Sequence, residues 1–258
     1  NDFSAISSAY VAEQLDLPGY DPYEISKLIH HKDSYRKFAI ENGIPTPNAK
    51  GFDNFEDALS CIDDFRLPLI IKPVDLTGGK GITKINDQLE ARDALEEAFA
   101  ISKLGRVVVE DFIEGSRHGF SAFIRDSKVI FHFTDNEHYY LNQYMVSAAS
   151  TPSTVSDSAV KELISQSEKI SELLSLKTGI FHVQFILRED KPVIIEICRR
   201  PPGDLYIKLV EHATGVDYPS WIVRAFCGLD CSELSQKGID GYYRLGNGTL
   251  RSNHRSIA

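Results

Sequence analysis

Residues 68–85, PLIIKPVDLTGGKGITKI, contain the arrangement that decides the fold class. The apolar run from Leu67 to Lys72 is rich in β-branched residues and ends at Pro73, which predicts a strand. A glycine-rich turn, Asp75 to Gly81, follows it, and Ile82 to Ile85 predicts a second strand. The G-x-x-x-x-G-K-[ST] and GxGxxG loops open a helix, whereas this loop joins two strands, so it is neither of them. Its glycines allow backbone N–H groups to approach phosphate oxygens closely.

Helices and strands alternate on both sides of this loop, which predicts an α+β fold. The predicted helices are Ser4–Leu15, Ser34–Asn42, Asp57–Phe65, Asp87–Lys103, Ser156–Lys177, Asp204–His212 and Tyr218–Phe226. The further predicted strands are Arg106–Phe112, a hairpin over Phe120–Phe133 that turns at Asp126-Ser127, Ile180–Leu187 and Pro192–Cys198. The stretch from Asp135 to Thr154 is polar and aromatic with no clear period, and we expect a long functional loop or a lid there.

The composition is that of a globular protein of 258 residues, 42% hydrophobic and 25% charged. With 28 Lys+Arg against 37 Asp+Glu the net charge is -9, which argues against a nucleic-acid partner. The four cysteines form no CxxC pair, so we expect a cytoplasmic protein. No apolar run of about 18 residues and no signal sequence occur, so no membrane association is expected.

The alternation of side chains along the second hairpin, Ile180–Leu187 and Pro192–Cys198, predicts a metal site. If Arg188 pairs with Pro192, then Gln184 faces Glu196 and His182 faces Cys198. The opposite face is expected to be core and contains Phe181, Val183, Phe185, Val193, Ile195 and Ile197. A carboxylate and an amide oxygen on adjacent strands are suited to Mg²⁺, which prefers oxygen ligands. The alternative is a surface hairpin with ordinary charges.

Two cationic residues stand where they can meet an anion. Arg200 follows the strand of Glu196 and precedes Pro201-Pro202-Gly203, a place from which it can hold a phosphate or carboxylate through two hydrogen bonds. Lys72 closes an apolar strand beside the glycine loop and can pair with phosphates. The alternative for Lys72 is a strand-end side chain that keeps its ammonium in water.

In chain order, these segments resemble the ATP-grasp superfamily. The resemblance extends from Asp21 to Asp230, and the segments that carry it are Lys32, Gly43-Ile-Pro, Pro68-Leu-Ile-Ile-Lys72-Pro, Thr77-Gly-Gly-Lys-Gly81, Val109-Glu110-Asp-Phe-Ile-Glu-Gly115, Gln184 and Glu196-Ile-Cys-Arg-Arg200. It implies two α+β lobes that bind ATP between them. Under this interpretation residues 1–30 end an upstream domain, 31–112 form the small lobe, 113–230 the large lobe and 231–258 a C-terminal extension. The start at Asn1, without a methionine, raises the expectation that the chain is a fragment.

The resemblance also implies a role for each site residue. It assigns phosphate binding to Lys32 and Lys72, closure over the phosphates to Thr77, Gly78, Gly79, Lys80 and Gly81, and adenine recognition to the backbone of a hinge containing Glu110, Asp111 and Ile113. It further assigns the ribose to His118, Mg²⁺ or Mn²⁺ to Gln184 and Glu196, and catalytic stabilisation of the transferred phosphoryl group to Arg200 with Lys72.

Two departures from the family pattern accompany the resemblance. Ser116-Arg117-His118 stands where many members have a glutamate for the ribose, which looks like the biotin-carboxylase branch. Cys198 stands where members usually have the asparagine of Glu-x-Asn. A thiol is a poor Mg²⁺ ligand, so we expect the second metal position to be weakened or completed by water.

Within the family, the stretches Arg199–Asp204 and Leu209–Gly215 resemble amino-acid ligases. The resemblance thus implies a ligase that activates a small carboxylate with ATP as an acyl phosphate and couples it to a small-molecule amine, with Asp135–Thr154 in the substrate pocket and a homodimer as one expected assembly. Arg117-His118 and Gln184 keep open a bicarbonate-using carboxylase or carbamoyl-phosphate-type enzyme. Cys198 keeps open a non-catalytic nucleotide-binding module.

Overall fold

The computed structural model describes residues 2–140, 142–203 and 205–246 of the chain. Within these ranges it has eight α-helices and ten strands. The helices are α1 Asp2–Gln14, α2 Tyr23–His30, α3 Lys32–Glu41, α4 Phe55–Ser60, α5 Ala91–Ile101, α6 Asp157–Leu174, α7 Tyr206–Thr214 and α8 Tyr218–Phe226. None of the helices in these ranges combines the length and hydrophobicity required to cross a bilayer.

A four-stranded antiparallel sheet forms the smaller unit, in the order β1-β4-β2-β3. Its strands are β1 Ala49–Phe52, β2 Leu69–Pro73, β3 Thr83–Ile85 and β4 Val107–Asp111. All five residues of β2 are buried. Apolar side chains of the sheet, among them Ile71 and Val109, share a core with Ala94 and Leu95 of α5. The glycine loop joins β2 to β3 at one edge of this sheet.

A six-stranded sheet forms the larger unit, in the order β10-β7-β6-β5-β8-β9. Its strands are β5 Ser116–Arg125, β6 Lys128–His138, β7 Ala148–Thr151, β8 Gly179–Arg188, β9 Lys191–Cys198 and β10 Tyr243–Gly246. Successive strand residues point to opposite faces. Phe120 of β5 accordingly joins the core under α6, whereas Phe123 joins a second core with Tyr206 of α7 and Tyr218 of α8.

Several elements agree with the sequence-based prediction. Helix α8 has the predicted bounds. The β5–β6 hairpin turns at Asp126 and Ser127, whose φ values of 52° and 58° suit a tight hairpin turn. The predicted helix from Asp87 to Lys103 begins with a 3₁₀ turn, Gln88–Glu90, because the Asp87 carboxylate accepts a hydrogen bond from the Leu89 N–H and caps that turn.

Other predictions require correction. The predicted loop over Asp135–Thr154 is partly strand, because β6 continues to His138 and β7 pairs with it. Helix α6 ends at Leu174, where Ser175 adopts the left-handed conformation with a φ of 50°, ahead of the predicted end. Helix α2 was not predicted. Asp204, the predicted cap of the next helix, lies outside the described residues.

A β-bulge corrects the predicted register of the second hairpin. Gln184 pairs with Glu196 as predicted, but Phe185 pairs with Ile194, so Ile195 is an extra residue on β9. The bulge places Ile194 in the core, whereas Val193 and Ile195, predicted to be core, are only half-buried. The turn is one residue tighter than predicted, and Arg188 pairs with Lys191.

The two ends of the described chain pack on the larger unit. Helix α2 contacts both α1 and β9. Strand β10, from the predicted C-terminal extension, pairs with β7, and Tyr243 lies opposite Thr151. The described part of that extension therefore belongs to the large sheet.

Candidate active site

The face of the large sheet opposite α6 contains oxygen-bearing side chains on three strands. Gln184 of β8 and Glu196 of β9 are directly opposed, and the Gln184 amide nitrogen donates to Glu137 Oε1 of β6 at 2.8 Å. Because the amide N–H₂ is engaged by a carboxylate, the amide oxygen of Gln184 is available to another ligand. These donors fit a hard divalent cation such as Mg²⁺.

Glu137 of β6 was not identified from the sequence, and it is half-buried. Burial raises its pKa, and the charge of Glu196 raises it further, while hydrogen bonds from Tyr139 and Gln184 and the charge of Arg117 oppose the shift. The Tyr139 hydroxyl donates to Glu137 Oε2 at 2.5 Å. The only sequence signal for Glu137 was its position in the polar segment Asp135–Thr154, which was predicted to be a functional loop.

Lys72 lies in a buried charge cluster of the smaller sheet. Its ammonium contacts Glu110 Oε1, and Glu110 Oε2 accepts from Arg36 Nε at 3.0 Å. Burial lowers the pKa of Lys72 to about 8, although the charge of Glu110 opposes the shift. Burial also disfavours ionisation of Glu110, but the charges of Arg36 and Lys72 outweigh it and lower its pKa. Lys72 is therefore a buried amine, and the strand-end alternative, with its ammonium in water, is wrong.

The glycine loop turns by means of left-handed backbone at Gly78, Gly79 and Gly81, with φ values of 68°, 71° and 66°. A Cβ on Gly79 would lie 2.8 Å from both the Cβ and the backbone oxygen of Tyr144. The loop of the small lobe therefore touches the segment between β6 and β7 of the large lobe. Lys32 reaches the same loop, since its ammonium donates to the Leu76 carbonyl at 2.7 Å, while Thr77 is half-buried and Lys80 is exposed.

The predicted hinge lies at the end of β4. The Glu110 side chain points into the charge cluster, and its backbone is paired with both β1 and β2. The Asp111 N–H donates to the Asn48 carbonyl at 2.9 Å, and the Phe112 N–H donates to the Pro68 carbonyl at 3.0 Å. Ile113 is the first residue of the predicted hinge that follows these backbone hydrogen bonds.

The structure does not bring His118 together with Gln184 and Glu196, the pair predicted to bind a cation. It pairs with Phe185, one residue out of phase with Gln184, and its ring stacks on Phe185 with centroids 5.5 Å apart. Because side chains alternate between faces, His118 lies on the face of α6. Its ring nitrogens contact the Asp135 carbonyl and the Ser116 hydroxyl. It does line a cavity of about 570 Å³ at the end of β5, which Arg117 and Glu137 also line.

Arg200 is held by an aspartate that the sequence did not indicate. Arg200 Nε and a terminal nitrogen lie 2.8 and 2.7 Å from Asp2 Oδ1, which also contacts His30 Nδ1 at 3.0 Å. Burial disfavours ionisation of Asp2, but its hydrogen bond with His30 and the charge of Arg200 outweigh that effect and hold its pKa well below the usual range. Cys198 is buried beside this group, and burial raises the pKa of its thiol. A neutral thiol is a poor nucleophile.

Comparison with known proteins identifies the family. Residues 30–204 match a family profile described as phosphoribosylglycinamide synthetase, ATP-grasp (A) domain. The chain belongs to this ATP-grasp family. The fold and the resemblance expected from the sequence are thereby confirmed.

The curated relatives of this ATP-grasp chain include ligases. The phosphoribosylamine–glycine ligase of Pyrococcus furiosus is 29% identical over 204 residues, which cover 71% of this chain and 46% of that protein. The carbamoyl phosphate synthase large chain, C-terminal section, of Methanopyrus kandleri is 21% identical over 86% of this chain and 42% of that protein. The chain thus spans less than half the length of these relatives.

Solved structures show the same fold. The phosphoribosylglycinamide synthetase of Anaerococcus prevotii matches with a TM-score of 0.71 and 22% identity, over 92% of this chain and 60% of that one. The L-amino acid ligase of Bacillus licheniformis matches with a TM-score of 0.72 and 21% identity, over 87% and 54%.

Proposed function

We propose that this chain is the ATP-binding and catalytic part of a ligase that activates a carboxylate as an acyl phosphate and couples it to an amine. The observation that carries the proposal is the opposed pair Gln184–Glu196 on β8 and β9, with Arg200 two residues beyond the end of β9. The pair lies on the face of the sheet that also has Glu137. Relatives whose names describe ligases support it. ATP is the co-substrate, and Mg²⁺ or Mn²⁺ is the divalent cation.

The chemistry has two displacements. A carboxylate oxygen attacks the γ-phosphorus of ATP, and the bond to ADP breaks. The amine nitrogen then attacks the acyl carbon, phosphate leaves, and the proton released from nitrogen passes to solvent. Positive groups placed where charge develops are the main protein contribution to phosphoryl transfer.

This chain's residues divide that work. Lys72 and Lys32 hold phosphate oxygens, and the backbone of residues 77–81 covers them. Arg200 stabilises the transferring phosphoryl group. To do so, its guanidinium has to release the Asp2 carboxylate and bind the substrate in its place. Gln184 and Glu196 hold the divalent cation, which when bound neutralises charge on the phosphates.

The proposed carboxylate is an amino acid or a peptide-like acid, and the amine is a second small molecule. The names of the relatives and neighbours support this class, since one describes a glycine ligase and another an L-amino acid ligase. The segment between β6 and β7, which touches the glycine loop through Tyr144, is the proposed wall of the substrate pocket.

A second candidate is a bicarbonate-using or carbamoyl-phosphate-type enzyme. Similarity to a carbamoyl phosphate synthase section over 86% of the chain favours it. A third, a nucleotide-binding module without turnover, is favoured by the protonated Cys198 thiol where the resemblance expects an amide ligand.

Release of ADP separates the three candidates. We expect ADP release with pooled amino acids as carboxylates and amines, and none with either ATP alone or bicarbonate alone. Release with bicarbonate alone would favour the second candidate, and ATP binding without release under any condition would favour the third. Glu196→Gln should abolish release because it removes one charge from the cation site, and Glu56→Gln, an exposed substitution on α4, is the matched control.

A further inference from the structure

We propose that Glu137 supports the cation site: its carboxylate fixes the amide of Gln184 and adds a second negative charge beside Glu196. This inference rests on the proposed function, which needs a divalent cation at Gln184 and Glu196. Glu137 acts through Gln184, so it is a positioning residue.

Glu137 fixes the orientation of the Gln184 amide. A glutamine amide presents either its oxygen or its nitrogen to a partner, and only the oxygen can bind a cation. Glu137 Oε1 accepts from the amide nitrogen at 2.8 Å, which selects one of the two orientations. Glu137 is itself held, because its other oxygen accepts from the Tyr139 hydroxyl at 2.5 Å.

Glu137 and Gln184 meet across the strand that lies between them. Glu137 and Gln184 belong to strands β6 and β8, which lie on either side of β5. The β5 residue opposite Gln184 is Gly119, and the Asp135 carboxylate fills the space that a side chain there would occupy. Glu137, two residues beyond Asp135 on β6, therefore reaches Gln184 diagonally across β5. The bulge at Ile195 keeps Glu196 opposite Gln184. Sheet geometry therefore gathers three oxygen-bearing groups on one face.

Glu137 and Glu196 bring two negative charges close together. Both side chains are half-buried, and two such carboxylates near each other are unfavourable unless a cation or a proton compensates them. Arg117 lies near Glu137 and compensates part of this charge, but its guanidinium packs over the Tyr139 ring, 4.5 Å from the centroid, and contacts the Gln143 carbonyl. A divalent cation at Gln184 and Glu196 compensates the remainder. The Cys198 thiol is unsuited to Mg²⁺, and the charge of Glu137, whose two oxygens are held by Tyr139 and Gln184, adds to that of Glu196.

Binding of Mn²⁺, followed by electron paramagnetic resonance with a non-hydrolysable ATP analogue present, tests the proposal without turnover. Outer partners of metal ligands contribute about 10–100-fold to metal affinity. We expect Glu137→Gln, which keeps an acceptor for Gln184 but removes the charge, to weaken Mn²⁺ about tenfold. Glu137→Ala, which removes both, should weaken it more. Glu56→Gln should bind as the wild type does.

The outcomes are distinguishable. The dissociation constant of the analogue without cation should stay within twofold in both Glu137 variants, and their circular dichroism should match the wild type. If Glu137→Gln and Glu137→Ala bind Mn²⁺ with wild-type affinity while Glu196→Gln does not, the role of Glu137 is wrong and the proposed function stands. If Glu196→Gln also binds normally, the cation site and the proposed function both fail.

Discussion

The buried cluster of Lys72, Glu110 and Arg36 makes the stability of the small lobe depend on one carboxylate. Glu110→Gln removes the carboxylate that pairs with both Lys72 and Arg36, which leaves an ammonium and a guanidinium in a buried place. The side chains of Arg36 and Glu110 are 1% and 5% exposed, so solvent screens the lost interaction little.

The size of the effect follows from which cation can lose its charge. The pKa of Lys72 is already about 8, and loss of Glu110 lowers it further, so Lys72 can release its proton near neutral pH. Arginine cannot. One uncompensated buried charge therefore remains, at a cost of about 3–5 kcal/mol in the free energy of unfolding. For a chain of this size that corresponds to a fall in Tm of roughly 6–20 °C.

Urea and thermal unfolding, followed by circular dichroism at pH 7, measure this loss. Glu96→Gln is the matched control, because Glu96 forms an exposed pair with Arg92 at 3.8 Å and such pairs contribute little. Arg36→Met added to Glu110→Gln should recover part of the loss, since it removes the uncompensated guanidinium. Equal unfolding midpoints for Glu110→Gln and Glu96→Gln would refute the reasoning.

Three further predictions follow from the site. The dissociation constant of an ATP analogue should rise about tenfold per pH unit above pH 8, where Lys72 loses its proton, and calorimetry should show no such dependence in Lys72→Met. Gly79→Ala should weaken analogue binding at least tenfold with the fold intact by circular dichroism, because the left-handed backbone and Tyr144 both oppose a Cβ; unchanged binding would contradict the loop contact. Asp2 has a depressed pKa in the folded state, so its stabilising contribution is present above pH 4 and lost as the pH falls below it. The difference in unfolding free energy between wild type and Asp2→Asn should therefore shrink between pH 5 and pH 3, and a constant difference would contradict the pairing with Arg200.

Local patterns predicted much of the fold. The strand, glycine loop and strand of residues 68–85 and the opposition of Gln184 to Glu196 depend on short-range periodicity, which the sequence displays directly. The bulge at Ile195 could not be predicted from the sequence. A bulge is defined by how two strands pair, and the sequence of one strand does not show which of its residues is left unpaired. Val193 and Ile195 were therefore assigned to the wrong face.

The contacts of the candidate site that the sequence did not predict join residues far apart in the chain. Asp2 meets Arg200 across 198 positions of the chain, and Glu110 meets Arg36 across 74. Neither pairing leaves a local signature. His118 was placed at the ribose by resemblance, and only the strand register shows that it lies on the other face from Gln184. Its role at the nucleotide stays a prediction.

The central claim is that this chain transfers a phosphoryl group from ATP to a carboxylate oxygen. Amino acids whose carboxylates have been exchanged with ¹⁸O-labelled water provide the most direct test, with mass spectrometry of the phosphate released. An acyl phosphate intermediate predicts one ¹⁸O atom in each phosphate released, because the bridging oxygen stays with phosphorus when the amine attacks the acyl carbon. ADP formation with unlabelled phosphate would contradict the account.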